Sequence, residues 1–556
     1  MASFSHLPTE LVEQIVSYLC QHDKSSFCRL NKHLHTLGTP LLYRHVDLFI
    51  PPSNRLPRID HFCRNLIDDS RKANNVHSIR LGLSSDENVA EGQRWLPLDS
   101  QFDDQCMFQK AMDVLSNETL VATGDYLKDA IGMREYSAYA ALILLMLPSL
   151  RHLHVSDYKS ATFDHLHTML RNLDPGTIWN RRFASEALVS RLSSIKRLSL
   201  LFDSKSGVAY RKNDYFAPDH FLNIPCTEIL EISVSGARRH LNIGIPRTLP
   251  LVQRVRPTNI TTLVFRHSGA FTESLLSLLE CTPKLRSFTY EFYFERDEMA
   301  DQTWHLVNLA SWSDILRSLE ATLEVLVFSI EYCDKSAYFF NQPRIGDKLY
   351  GYLDLTNFSQ LHTLEVPFPF LTGDVEFSIG TEVYPLFPPN LRHLTLRPDL
   401  SHAQHPFPFD LSILSTGLTF EESKLEVQCL MNARMDVSYM YQTSLTVLDL
   451  APTLESISIW QPADPSLAWF DSQVEDFATT CRNKHITGKI LTPMLLTRKK
   501  AADWDLLKEN TLFDKNAPEF GTVKKFWREE WEGRPVGLAS QYHLHALRSH
   551  HVKLYR

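Results

Sequence analysis

The chain has 556 residues, 44% of them apolar and 22% charged, which fits a globular protein large enough for more than one domain and excludes a disordered chain. Its formal charge of −8 and pI near 6.3 give no basis for broad nucleic-acid or acidic-membrane binding. Nineteen glycines, about half the usual ~7% share, argue against a fold built on Gly-rich phosphate loops.

The chain opens MASFSHLP, without the basic and then apolar order of a secretory signal. A first helix is predicted next. Pro8 suits a first helical position, where its missing N–H would be unpaired anyway. Glu10 then reaches back to the orphan N–H groups of the first turn. Leu11, Val12, Ile15, Val16, Tyr18 and Leu19 cover an arc of roughly 160°, wider than the ~100° stripe that one core requires. Asp23 is expected to cap a second helix carrying Phe27, Leu30, Leu34 and Leu37 and ended by Gly38, with Pro40 opening a last short segment, LLYRHV. Three small helices in about 40 residues make a marginal core. The surplus apolar arc therefore serves a partner, or packs on the domain that follows.

The order LPTELVEQIVSYL, then Asp23 and a helix, then LLYRHV, resembles an F-box. The resemblance spans Leu7 to Val46, within a predicted F-box domain of residues 1–50, and implies docking on the Skp adaptor of SCF-type (cullin–RING) ubiquitin ligases. It places the adaptor contacts on Leu7, Pro8, Leu11, Ile15 and Leu19. The segment Asn31-Lys32-His33-Leu34 departs from the pattern in having no Trp where many members carry one.

Residues 51–75, with Pro51, Pro52 and Pro57, read as a connector. From 76 to 461 an apolar residue recurs at i, i+3 and i+5. The ten copies are Val76-Ile79-Leu81, Leu150-Leu153-Val155, Ile195-Leu198-Leu200, Ile229-Ile232-Val234, Ile260-Leu263-Phe265, Leu285-Phe288-Tyr290, Leu323-Leu326-Phe328, Leu361-Leu364-Val366, Leu391-Leu394-Leu396 and Leu454-Ile457-Ile459. Several share a lead-in: LPSL, TPKL, PPNL, APTL. The spacing predicts a turn and a short strand whose i+3 and i+5 side chains face a core. Amphipathic helices are predicted between copies, at Phe183–Ser194, Thr272–Cys281 and Trp304–Leu319, and LTVLDL at Leu445–Leu450 reads as a helix leading into APTL.

The expected fold class is α/β: an N-terminal three-helix F-box, then an irregular leucine-rich-repeat-like solenoid with a parallel sheet. The copies resemble leucine-rich repeats in L-x-x-L-x-L, but start 25 to 74 residues apart. Ordinary strands of another α/β fold are the alternative. The longest apolar run, Ala138 to Leu147, is shorter than the ~20 residues of a membrane span. Residues 462–556 read as a cap and tail.

Chemistry-bearing motifs are few. No G-x-S-x-G, H-E-x-x-H or P-loop occurs. Nine cysteines without a C-x-x-C fit reduced thiols and a cytoplasmic or nuclear protein. His152 and His154 share a strand face at a spacing metals accept, but no third ligand is evident. The clustered His543, His545, His550 and His551 read as a solvated tail, and Arg498-Lys499-Lys500 as a solvated face. Positions i+2, i+4 and i+6 of each copy point away from the core. They bring Arg80, His152, His154, Arg197, Arg266, Glu291, Glu365, His393, Arg397 and Trp460 onto a mixed, slightly basic face. Such a face suits a protein or peptide substrate, including an acidic or phosphorylated one. Together with the docking that the F-box resemblance implies, the expected function is that of a non-enzymatic substrate-recognition adaptor of an SCF-type ubiquitin ligase that requires no cofactor and binds neither nucleic acid nor membrane. A protein-binding scaffold outside any ligase and an enzyme with an unrecognised site are the alternatives.

Overall fold

The computed structural model describes residues 7–17, 19, 21–49, 57–82, 108–110, 124–156, 164–171, 186–201, 221, 224–233, 259–268, 272–295, 307–333, 349–373, 383, 386–401, 403, 420–462, 467–496, 504–517 and 523–528. The protein is α/β, with a large, mostly parallel and open sheet. The chain divides into two compact units, Met1–Ser233 with Asn242–Thr261, and Val234–Leu241 with Thr262–Arg556.

The first unit begins with α1 (Thr9–Ser17), α2 (Gln21–Cys28), α3 (Lys32–Arg44) and β1 (His45–Asp47). It continues with α4 (Ile59–Asp68), α5 (Ser70–Asn74), β2 (Ser78–Gly82), α6 (Gly124–Gly132), α7 (Tyr136–Met146) and β3 (His152–Ser156). The remaining elements are α8 (Asp164–Arg171), α9 (Glu186–Leu192), β4 (Arg197–Leu201) and β5 (Ile229–Ser233). Strands β1 to β5 pair in chain order, all parallel. The apolar run forms α7, every residue of which is buried. Its first residue, Tyr136, fastens β1 to β2: the hydroxyl donates to the Leu48 carbonyl at 2.8 Å and accepts from the Gly82 N–H at 3.2 Å.

The second unit holds β6 (Thr262–Ser268), α10 (Thr272–Glu280), β7 (Ser287–Glu295), β8 (Val307–Asn308), α11 (Leu309–Leu316), β9 (Val325–Cys333), β10 (Leu349–Tyr350) and β11 (Thr363–Pro367). It ends with α12 (Phe368–Thr372), β12 (His393–Arg397), α13 (Phe420–Leu450), β13 (Ser456–Trp460), α14 (Asp471–Lys484), β14 (Thr487–Leu496), β15 (Trp504–Phe513) and β16 (Val523–Arg528). Its sheet runs β6-β7-β9-β11-β12-β13-β14-β15-β16, parallel as far as β14 and antiparallel thereafter. Strands β8 and β10 form a separate parallel pair.

The repeated spacing becomes register. Ile79 and Leu81 align with Leu153 and Val155, these with Leu198 and Leu200, and all are buried. In the second unit Phe288 and Tyr290 align with Leu326 and Phe328, and Leu394 and Leu396 with Ile457 and Ile459. The lead-ins close the turns that aim each strand. The N–H groups of Leu285, Leu391 and Leu454 donate to the carbonyls of Thr282, Pro388 and Ala451, three residues earlier. The aromatic residues Tyr290, Phe292 and Phe328 pack around the buried Trp312 of α11, and Phe288 lies against Tyr290 and Phe328.

Five expectations are corrected. In β5, Leu230 and Ile232 align with Leu198 and Leu200, so the copy is Thr227-Leu230-Ile232 rather than Ile229-Ile232-Val234. Its first slot holds a threonine, buried because its hydroxyl donates to the Ile224 carbonyl at 3.2 Å, so apolar spacing selected the wrong frame. The expected second helix is broken at Asn31, whose side chain accepts from the Leu34 N–H at 2.8 Å and starts α3. Gly38 lies inside α3 rather than ending a helix. A Cβ there would stand 2.6 Å from the Cys28 sulfur. The connector contains α4 and α5, with Ile59, Cys63 and Leu66 buried at helical spacing. Beyond residue 462, β14 continues the sheet in parallel and a β15–β16 pair ends it. The clustered C-terminal histidines and Arg498–Lys500 lie outside the described residues.

Candidate functional site

Helix α1 divides its apolar arc between two duties. Val12 (2% exposed) and Val16 (0%) form a small core with Phe27 and Leu34, against which Leu19, Leu37 and Leu41 pack. Leu7 (36% exposed), Leu11 (46%) and Ile15 (41%) lie outside that core. Leu11 and Ile15, four residues apart, align along the outer side of the helix, and Leu7 lies two residues before its start. Pro8 is exposed at the start of α1, and its carbonyl accepts from the N–H groups of Leu11 and Val12 at 3.1 Å each. Exposed Glu10, Glu13 and Gln14 share the outer surface. Of the five residues assigned to adaptor contacts, four are therefore exposed, and Leu19 is half-buried against the module's own core. Leu30, expected among the inward residues, is 69% exposed in the turn before α3.

The expected polar face is brought together, but as pairs. In the first unit Asp47, Arg80, His154, Ser199 and Glu231 align across five strands. Neighbouring strands lie about 4.8 Å apart, so each side chain reaches the next. Arg80 pairs with Asp47 at 3.6 Å and stacks on Phe49. The buried Glu231 accepts from Arg197 at 3.1 Å and from Ser199 at 3.0 Å. His152 reaches the Ser199 hydroxyl at 3.1 Å. Burial, and then the nearby Arg80 and His152, hold the His154 imidazole neutral, with its pKa lowered to about 3.

The second unit repeats the device. Buried Arg266 pairs with buried Glu291. Buried Arg397 donates to Glu365 at 2.7 Å and Asp399 at 2.9 Å, and lies over the Trp460 ring at 4.6 Å. Asp399 also accepts from the Ile330 N–H at 2.8 Å, joining β9 to the end of β12. His393 alone among the ten named residues is exposed; it bonds the Ser456 hydroxyl at 2.8 Å. The slightly basic, open face expected from the sequence is thus a set of half-buried and buried pairs in which Arg80, Arg197, Arg266 and Arg397 already hold carboxylates. Sequence spacing found the arginines. It missed Asp47, Glu231 and Asp399 as their partners, because strand alignment, not chain distance, selects them.

Reactive chemistry is sparse among the described residues. No group of three or more His, Cys, Asp or Glu side chains is arranged to hold a metal. Cys63 and Cys481 are buried, and burial raises both thiols, the latter to about 12, away from a reactive thiolate. A crevice beside α12 is lined by leucines with Phe370, Phe387 and Tyr352, which offers packing rather than acid–base groups. No helix among the described residues is long and apolar enough to cross a membrane. The sequence matches no protein-family model and no curated protein.

Proposed function

We propose that the chain is the substrate-recognition adaptor of an SCF-type ubiquitin ligase. In this reading Leu7, Pro8, Leu11 and Ile15 dock on a Skp-type adaptor, and the repeats, as an irregular solenoid, hold a protein substrate. The observation that carries the reading is that Leu11 and Ile15, with Leu7 just ahead of them, are exposed on a helix whose opposite face already fills its own core. Burying the exposed part of each side chain is worth on the order of 1 kcal/mol, enough together to favour a partner over water. The solenoid part draws support from strands that follow one another in chain order, parallel and in register. The chain itself would perform no chemistry; it would raise the local concentration of substrate at the transfer site.

The test is co-purification with the Skp adaptor and a cullin. Leu11→Asp/Ile15→Asp is expected to lose both partners while leaving the thermal transition unchanged, since both side chains face outward. Val12→Asp/Val16→Asp is expected to unfold the module, because it buries unpaired charge. Undiminished adaptor binding by the first variant would refute the docking reading. A Skp complex that excludes cullin would refute the ligase assignment and favour a scaffold.

A further inference from the structure

Along two rows, the residue just before a strand donates its N–H to the carbonyl of its counterpart before the neighbouring strand. In the first unit the row runs Arg44, His77, Arg151, Lys196, Glu228, with N···O distances of 2.8 to 3.0 Å. In the second it runs Arg286, Glu324, His362, Arg392, Glu455. The second row is neutralised along its length: Arg286 pairs with Glu324 at 3.4 Å, Arg392 with Glu455 at 3.7 Å, and Lys515 also reaches Glu455, at 2.7 Å. In the first row Lys196 holds Glu228 at 2.9 Å.

Arg44, His77 and Arg151 break that rule. Both arginines are exposed and His77 is half-buried between them. Neither arginine forms an ion pair with a described carboxylate. The turns that precede His77 and Arg151, Asn74-Asn75-Val76 and Pro148-Ser149-Leu150, contain no acid. The nearby acids are engaged elsewhere, Asp69 with Arg71 at 3.0 Å and Asp47 with Arg80 at 3.6 Å. The crowding is felt at His77, whose protonated form is disfavoured first by burial and then by Arg44, Arg151 and His45. Arg44 and Arg151 flank His77 on either side, two strands apart. A row neutralised elsewhere but left cationic here, in a chain of net charge −8, is a surface complementary to an anion supplied from outside.

The dimensions indicate which anion. At about 4.8 Å per strand, Arg44 and Arg151 stand roughly 10 Å apart along the row. One small anion does not span that line. An extended peptide presents same-side residues every ~7 Å, within reach of arginine side chains on either side. We propose that Arg44, His77 and Arg151 form a docking edge for an extended acidic segment of a partner protein, with carboxylates of alternate residues paired to the two arginines. The proposal is independent of the stripe on α1.

The experiment uses the full chain and fluorescein-labelled Glu-Ser-Glu-Ser-Glu-Ser-Glu, compared with the same peptide carrying Gln for Glu and with a Gln peptide bearing a single phosphoserine. The Glu peptide is expected to bind at least tenfold more tightly than either control. Arg44→Gln/Arg151→Gln is expected to abolish that preference without lowering the melting temperature, because both side chains are exposed and hold no described carboxylate. Arg286→Gln/Arg392→Gln, which alters cations already paired, should leave it intact. Equal binding of Glu and Gln peptides, an unaffected Arg44→Gln/Arg151→Gln variant, or preference for the single phosphoserine would each overturn the proposal.

Discussion

Neighbouring residues on α1 meet opposite fates, and the difference is measurable. Val16 lies wholly within the small core and Ile15 wholly outside its packing. Val16→Ala is expected to destabilise by about 2 kcal/mol through lost contacts and a residual cavity. Ile15→Ala should change stability by no more than ~0.5 kcal/mol. Denaturant midpoints of the two variants check this, and equal costs would show that the stripe is internal packing. His154 supplies a second residue-scale prediction. Its folded pKa is lowered to about 3, so the unfolded chain takes up a proton below its ordinary value near 6.5 that the folded chain refuses. The contribution is complete above pH 6.5 and is lost as pH falls toward 3, at up to ~1.4 kcal/mol per pH unit. Stability measured between pH 7 and 5 should therefore fall less steeply in His154→Gln than in the wild type.

At the scale of elements, the spacing of apolar residues made most strands legible, because a two-residue period and a turn at a fixed offset leave little freedom in register. It failed where a polar residue occupied a core slot, as Thr227 does before β5, and where a cap outweighed helical spacing, as Asn31 does between α2 and α3. Helices α4 and α5 were hidden by the prolines ahead of them. The candidate site was half legible: the apolar arc of α1 was evident, but which of its residues face inward depends on Phe27 and Leu34, which only the fold brings to it. The paired sheet face was not legible, since partners such as Arg397 and Glu365 lie on different strands. Asp399 shows what such pairing does for the elements it joins. Asp399→Ala would leave Arg397 buried with one carboxylate and the Ile330 N–H without its acceptor. A loss of roughly 3–5 kcal/mol is expected, read from the denaturant midpoint; a change below 1 kcal/mol would mean that the cluster contributes little to holding β9 and β12 together.

For the molecule as a whole, charge is handled in two ways. Along the polar rows most cations are matched within the sheet, so the interior of the face carries little net field for a ligand to sense. At the edge formed by Arg44, His77 and Arg151 the match is missing. Among the described residues, the two surfaces proposed to meet partners are the exposed apolar residues of α1 and the cationic edge at the start of β1 to β3, distinct in chemistry and open to separate mutation. A protein substrate held elsewhere on the repeats would have to rely on residues other than the buried arginines.

The passage from α3 into β1 carries a mechanical consequence. Arg44 ends the helix and His45 begins the strand, with no residue between them, and the Tyr136 hydroxyl clamps the strand's continuation at Leu48 to Gly82. The N-terminal helices thus join the first sheet as a bracket joins a beam, not as a weight hangs on a cord. Anything seated on α1 acquires a fixed bearing toward that sheet. Slack introduced at the Arg44–His45 joint would leave the grip of the stripe intact while letting its direction wander, so that reach and orientation, rather than affinity, would be what is lost.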